Sequence, residues 1–139
     1  MLDLGKRTIG DSVSPLRPVP SSMVEASYDR LVDFALEQSH ALLIAEDALG
    51  GPLGFVLLLD RLPDEVTGSA QGFIAFMAVE PAARRHGIGA RLLSAAEDVA
   101  RRSGLAYLAL MVTEENEAAR ELYAQAGFTT ERRLLCKPL

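Results

Sequence analysis

Residues 84–93 read "RRHGIGARLL", two arginines and two glycines set against the first residues of an apolar helical stripe. The first turn of a helix leaves backbone N–H groups without partners, and the helix dipole adds partial positive charge there. Gly87 and Gly89 carry no Cβ to keep an anion from the main chain. Arg84, Arg85 and Arg91 add charge, and a guanidinium can grip phosphate oxygens through two donors. These are the parts of a pyrophosphate cradle. The same residues would also serve as a plain tight turn followed by solvated charge. Two other phosphate loops fail by spelling. No G-x-x-x-x-G-K-[ST] string occurs, and a G-x-G-x-x-G begun at Gly87 meets Leu92 at its third glycine.

A second constellation lies in "TEENEAARELYAQAGF". Asn116 opens a helical segment, and Tyr123 stands two turns further along the same face. Asn suits an N-cap, and helical spacing alone would make Tyr123 a core residue. Both remain compatible with a site.

These residues need elements to position them. "SSMVE" offers a capping box from Ser22 to Glu25, and Val24, Tyr28, Leu31, Val32 and Ala35 predict a helix over 22–39. "ALLIAED" and "LGFVLLLD" read as antiparallel strands joined by "ALGGP", and "GFIAFMAV" (72–79) as a strand covered on both faces. Ile88, Leu92, Leu93, Ala96, Val99 and Ala100 line a helix ending before Gly104, with Glu97–Arg101 and Asp98–Arg102 as i,i+4 pairs. A strand over 105–112, a helix stopped at Gly127 and one or two closing strands complete the order. Residues 1–20, with three prolines, read as an extended arm or an ill-defined first strand. The sum is an α/β chain with a mixed sheet covered by helices.

At 139 residues and 15.0 kDa this is one domain, 1–139. A hydrophobic share of 49% with 24% charged residues fits an ordinary globular protein. A net charge of −5 argues against coating nucleic acid or anionic membrane, so any bound anion needs a local positive patch. No apolar run is long enough for a membrane span, and no signal peptide is spelled. The lone Cys136 excludes an intrachain disulfide, so a cytoplasmic location is expected. His40 and His86 are isolated, which leaves no convincing metal site. His40 suits a helix C-terminus and His86 an exposed loop.

Taken in order, three segments resemble the GCN5-related N-acetyltransferase (GNAT) superfamily. "MAVEPAARRHGIGARLL" is similar to its strand, loop and pyrophosphate-binding helix, with R-x-x-G-x-[GA] at Arg84, Gly87 and Gly89. "LAYLALMV" is similar to the strand that parts from its neighbour, and "NEAARELYAQAGF" to the following N-x-x-A-x-x-L-Y-x-x-x-G-F helix. The resemblance implies a mostly antiparallel sheet with a V-shaped splay between two parallel strands, and helices on both faces. It implies acetyl-CoA as cosubstrate and a primary amine, on a small molecule or a protein, as acceptor. The backbone of Met77, Ala78 and Val79 would pair with the pantetheine arm. Main-chain N–H groups of Arg84, Arg85, His86, Gly87, Ile88, Gly89 and Ala90 would hold the pyrophosphate. Asn116 would hydrogen-bond the pantetheine, and Tyr123 would sit beside the sulfur as general acid.

Two features depart from that pattern. Relatives that acetylate protein N-termini tend to carry Glu five residues before the Asn, where this chain has Met111. Glu46, Asp60 and Glu80, near strand ends, are candidate substitutes, each equally well read as a solvated loop charge. The missing base and obscure N-terminus also admit an acyl-CoA-binding sensor without useful turnover. The closing "RRLLCKPL" could pair across the edge of a homodimer.

Overall fold

In the computed structural model, which describes residues 2–139, the two apolar runs flanking "ALGGP" form strands β1 (His40–Glu46) and β2 (Pro52–Leu59). They pair antiparallel. Their turn is tied by the Asp47 carboxylate, which accepts from Leu49 and Gly51 N–H, while Gly50 takes a left-handed φ of 81°. Strand β3 (Gly72–Val79) runs antiparallel to β2 and parallel to β4 (Leu108–Leu110), giving the order β1-β2-β3-β4. Phe55, Val56, Leu57 and Leu58 of β2 are 0% exposed. At about 1.5–3 kcal/mol for each fully buried side chain, β2 anchors the domain.

Each face of the sheet has its own helical layer. Helices α1 (Leu2–Thr8) and α2 (Ser21–Glu37) cover one, with Leu4 and Ala35 against Phe55, Leu57, Leu59 and Ala78. Tyr28 of α2 meets Phe76 edge to face, ring centroids 5.0 Å apart. Gly5 permits that approach, since a Cβ there would lie 2.0 Å from the Tyr28 hydroxyl oxygen. Helices α3 (Ile88–Arg102) and α4 (Glu117–Gln125) cover the other face. Leu92, Leu93 and Ala96 pack on Val56, Leu58 and Ile74, joined by Leu122, Tyr123 and Phe128.

Several boundaries differ from the sequence reading. Met1 lies outside the described residues, and residues 2–20 hold neither an extended arm nor a strand: α1 is followed by a 3-10 turn, Ile9–Ser12. Asp3 in the first turn and Lys6 and Arg7 in the last suit the helix dipole, and Leu4 is buried. Helix α2 starts at Ser21 behind Pro20, whose carbonyl accepts from Met23 and Val24, and no side chain caps it; the Ser22 box does not form. Arg101 bridges Glu97 as expected, but its other partner is Asp98, three residues back. Strand 105–112 shortens to β4: residues 105–107 precede the register position of Gly72, the first residue of β3, and pairing stops at Ile74↔Leu110. The closing residues form no strand. Arg132 draws them to Asp64 and Glu65 in the β2–β3 loop, leaving Leu134 and Leu135 exposed. Arg132 and Thr67 together hold the Asp64 carboxyl well below the usual range.

Candidate active site

One extra residue opens the sheet. On β3, Ile74 pairs with Leu58 and Phe76 with Leu57, so Ala75 has no partner on β2. Ala75 and its neighbour Phe76 both lie against the α1–α2 layer, as adjacent side chains of a bulge do. Pairing between β3 and β4 ends at Ile74↔Leu110, at the same point. The bulge also reverses the hydrogen-bonding sides. Gly72 N–H donates to Tyr107 O on the β4 side, whereas Glu80 N–H donates to Leu53 O on the β2 side. Groups alternate along a strand, so without an odd residue these two would point alike. Past Ala75, therefore, the main-chain groups of Met77 and Val79 face β4 across a gap, and those of Ala78 face β2. The sequence reading grouped all three toward one ligand; the geometry offers Met77 and Val79.

At the mouth of this slot stands the start of α3. Gly87, at the N-cap, has φ 77°, and no side chain caps the helix. Arg85 is also left-handed at φ 68°, with His86 between them at negative φ. The first i→i−4 bond runs from Arg91 N–H to Gly87 O, which leaves the Ile88, Gly89 and Ala90 amides at an uncapped positive end. Such amides suit a diphosphate. The two glycines divide the work. Gly87 supplies the left-handed turn, and a Cβ on it would meet nothing within 4 Å. At Gly89 a Cβ would stand 2.9 Å from Leu122 Cδ2 and 3.4 Å from Met77 Cε. The bare Gly89 thus admits α4 as well as any ligand.

That contact brings α4 to the slot. Asn116 caps α4 through its Oδ1, which accepts from Ala119 N–H at 3.3 Å, and Gly127 ends the segment at φ 95°. Tyr123, beside Leu122, is half-buried with its ring edge-on to Phe128, centroids 5.9 Å apart. Burial pushes its phenol above the ordinary value, so it is neutral and can donate a proton.

The arginines are not equivalent. Arg85 is exposed, with no ion pair among the described residues. Arg91 lies over β1, lining a shallow surface cavity with Leu43 and Ala45. Arg84 turns back from the cradle: its Nε–H donates to Val79 O at 3.2 Å and its Nη2 lies 3.3 Å from Asp11 Oδ2. Asp11 belongs to a strap that sequence reasoning missed. Arg7 of α1 grips both oxygens of Glu80 at 3.2 and 3.0 Å, and Thr113, past β4, donates to Ser12 O. The N-terminal segment therefore spans the wide end of the slot from one splayed strand to the other. Asp3 and Arg7, an i,i+4 pair, gave a weak sequence signal for α1; nothing in the sequence pointed to Asp11.

The three candidate bases separate. Glu46 ends β1, two strands from the slot. Asp60 follows β2 at the closed end, where its Oδ1 is buried without a hydrogen bond among the described residues. Glu80 alone stands at the wide end. There the Arg7 guanidinium holds its carboxyl below the usual range. Met111 is 80% exposed just beyond β4. Neither a metal-binding cluster nor a helix long and apolar enough to cross a membrane occurs among the described residues.

The chain is similar to several acetyltransferases. It is 37% identical over 87 residues to a mycothiol acetyltransferase of Beutenbergia cavernae, covering 63% of this chain and 27% of that protein. It is 36% identical over 102 residues to an aminoglycoside N(6')-acetyltransferase type 1 of Klebsiella aerogenes, covering 71% of this chain and 67% of that one. The chain spans from about a quarter to two thirds of the length of such curated relatives. A putative acetyl transferase from Pyrococcus furiosus superposes with a TM-score of 0.84 at 26% identity, over 99% of this chain and 91% of that one. Solved proteins of this fold include an aminoglycoside N-acetyltransferase, AAC(6')-Iy, in complex with CoA. The profile of the acetyltransferase (GNAT) family matches residues 11–128, most of the chain, and the protein belongs to that family.

Proposed function

We propose that this chain is an acetyl-CoA-dependent N-acetyltransferase that moves the acetyl group to a primary amine by direct attack. The observation that carries the reading is the Ala75 bulge, which turns the Met77 and Val79 amides into a slot whose mouth is the uncapped start of α3. The residues fit the cosubstrate. Amides of residues 87–90 hold the diphosphate, and the free side of β3 pairs with the strand-like pantetheine arm. Bound there, acetyl-CoA supplies an activated acyl group. The Val79 N–H, which faces the gap, would stabilise the negative charge that develops on the acyl oxygen, a task suited to a fixed donor. The Tyr123 hydroxyl would give its proton to the departing thiolate, and the proton that the amine nitrogen sheds as the amide forms would restore the phenol. Asn116 retains an amide N–H₂ for the ligand while its Oδ1 caps α4.

An amine on a small molecule is the favoured acceptor, because the curated relatives include an aminoglycoside acetyltransferase. A cytoplasmic setting fits the single cysteine, and a homodimer fits the single-partnered edge strand β4. The second reading, an acyl-CoA sensor, draws on Glu80, the carboxylate at the wide end, being tied to Arg7.

Two measurements test the proposal. CoA at ~100 times its dissociation constant should stabilise the fold by about 2.7 kcal/mol. Thiol release from acetyl-CoA with a panel of amines then separates enzyme from sensor: binding without release across the panel favours the sensor, and no shift at millimolar CoA removes both.

A further inference from the structure

Arg84 stands in the cofactor loop, yet its side chain is spent elsewhere. Its Nε–H donates to Val79 O at 3.2 Å, and its Nη2 pairs with Asp11 at 3.3 Å. The Val79 carbonyl points into the slot with its own amide, so it is the last acceptor that β3 offers a ligand lying alongside it. The guanidinium therefore covers the rim that such a ligand must pass. Asp11 fixes it from the far side, and Ser12, next in the chain, is tied to Thr113 beyond β4.

We propose that Asp11 is a positioning residue that latches Arg84 across the slot, so that the diphosphate of CoA must win Arg84 from Asp11 in order to bind. This rests on the cofactor reading above. The latch is weak by design of its surroundings: Arg84 and Asp11 side chains are 45% and 58% exposed. Exposed ion pairs contribute little. A diphosphate offers more charge, several acceptor oxygens and the helix start beside it, so the exchange favours the ligand. When Arg84 leaves, the Val79 carbonyl is freed and the strap loses its tie to the loop. Cofactor entry and loosening of the strap at Asp11 then become one event, while Arg7–Glu80 and Thr113–Ser12 still hold the strap elsewhere.

Calorimetric titration with CoA tests this on four proteins: the unaltered chain, Asp11→Asn, Arg84→Ala and the double variant. Asp11→Asn should tighten CoA binding by about two- to five-fold, the range an exposed pair supports. In the Arg84→Ala background the same change should do nothing. The latch is overturned if Asp11→Asn leaves affinity unchanged or weakens it, or if it tightens binding equally without Arg84. Failure of all four proteins to bind CoA would instead overturn the cofactor reading, and the latch with it.

Discussion

A Cβ on Gly89 would lie 2.9 Å from Leu122 Cδ2, so α3 and α4 meet through a residue that has no side chain. Leu122 Cδ2 is the tip of a flexible side chain that can give, so Gly89→Val should destabilise the fold by about 1 kcal/mol, the low end of the usual cost of overpacking. Truncating the neighbour should relieve it. In urea denaturation, Gly89→Val with Leu122→Ala should lose less than the sum of the two single losses. Strict additivity would mean the two helices do not depend on this contact.

Tyr123 packs against Phe128 through its ring and shows no hydrogen bond to its hydroxyl among the described residues. Tyr123→Phe keeps the ring and removes only the proton. Turnover should fall about 10²-fold or more, the scale of a lost general acid, while the calorimetric Kd for CoA stays near its original value. Unchanged turnover would take the acid role from Tyr123.

At the head of α4, Asn116 accepts from Ala119 N–H. Asn116→Ala should cost about 0.5–2 kcal/mol in thermal denaturation, and Asn116→Asp should restore most of it, since Asp caps equally well. An Ala variant as stable as the parent would show that the cap does not matter here.

Burial pushes the Tyr28 phenol up to about 12, against about 10 in an unfolded chain. The sign follows from linkage. The fold favours the neutral phenol, so this contribution is complete below pH 10 and is lost as pH rises toward 12. Phenolate absorbance of the folded protein should show Tyr28 ionising late, and Tyr28→Phe should remove that late step and flatten stability between pH 10 and 12. Tyr123 shifts in the same direction. Early ionisation of every tyrosine would contradict the buried position of Tyr28.

Much of this architecture is legible in the sequence. Strand β3 and helix α3 announce themselves by an unbroken apolar run and a 3.6-residue stripe, and both occur where their residues indicate. The Asn116 cap and the Gly127 stop were equally plain. The bulge was not, because every residue from Phe73 to Val79 is apolar and no alternation exists for an extra residue to break. Helix α1 is short, holds Gly5 at its centre, and is secured by Leu4 in the core rather than by propensity. The hold of Asp11 on Arg84 joins residues 73 apart in the chain, and no local pattern encodes it. The expected closing strands failed for a related reason: Arg132 draws that segment to Asp64, a pairing that no local pattern encodes.

Ala75 gives β3 an arithmetic property. Because amide direction alternates, an odd surplus turns Val79 outward from β2, whereas an even one would return it to the sheet. Loss of this one alanine would aim the same amides at β2, at the cost of one small side chain. Tolerance to change along β3 should accordingly depend less on which apolar residue stands at each place than on how many stand there.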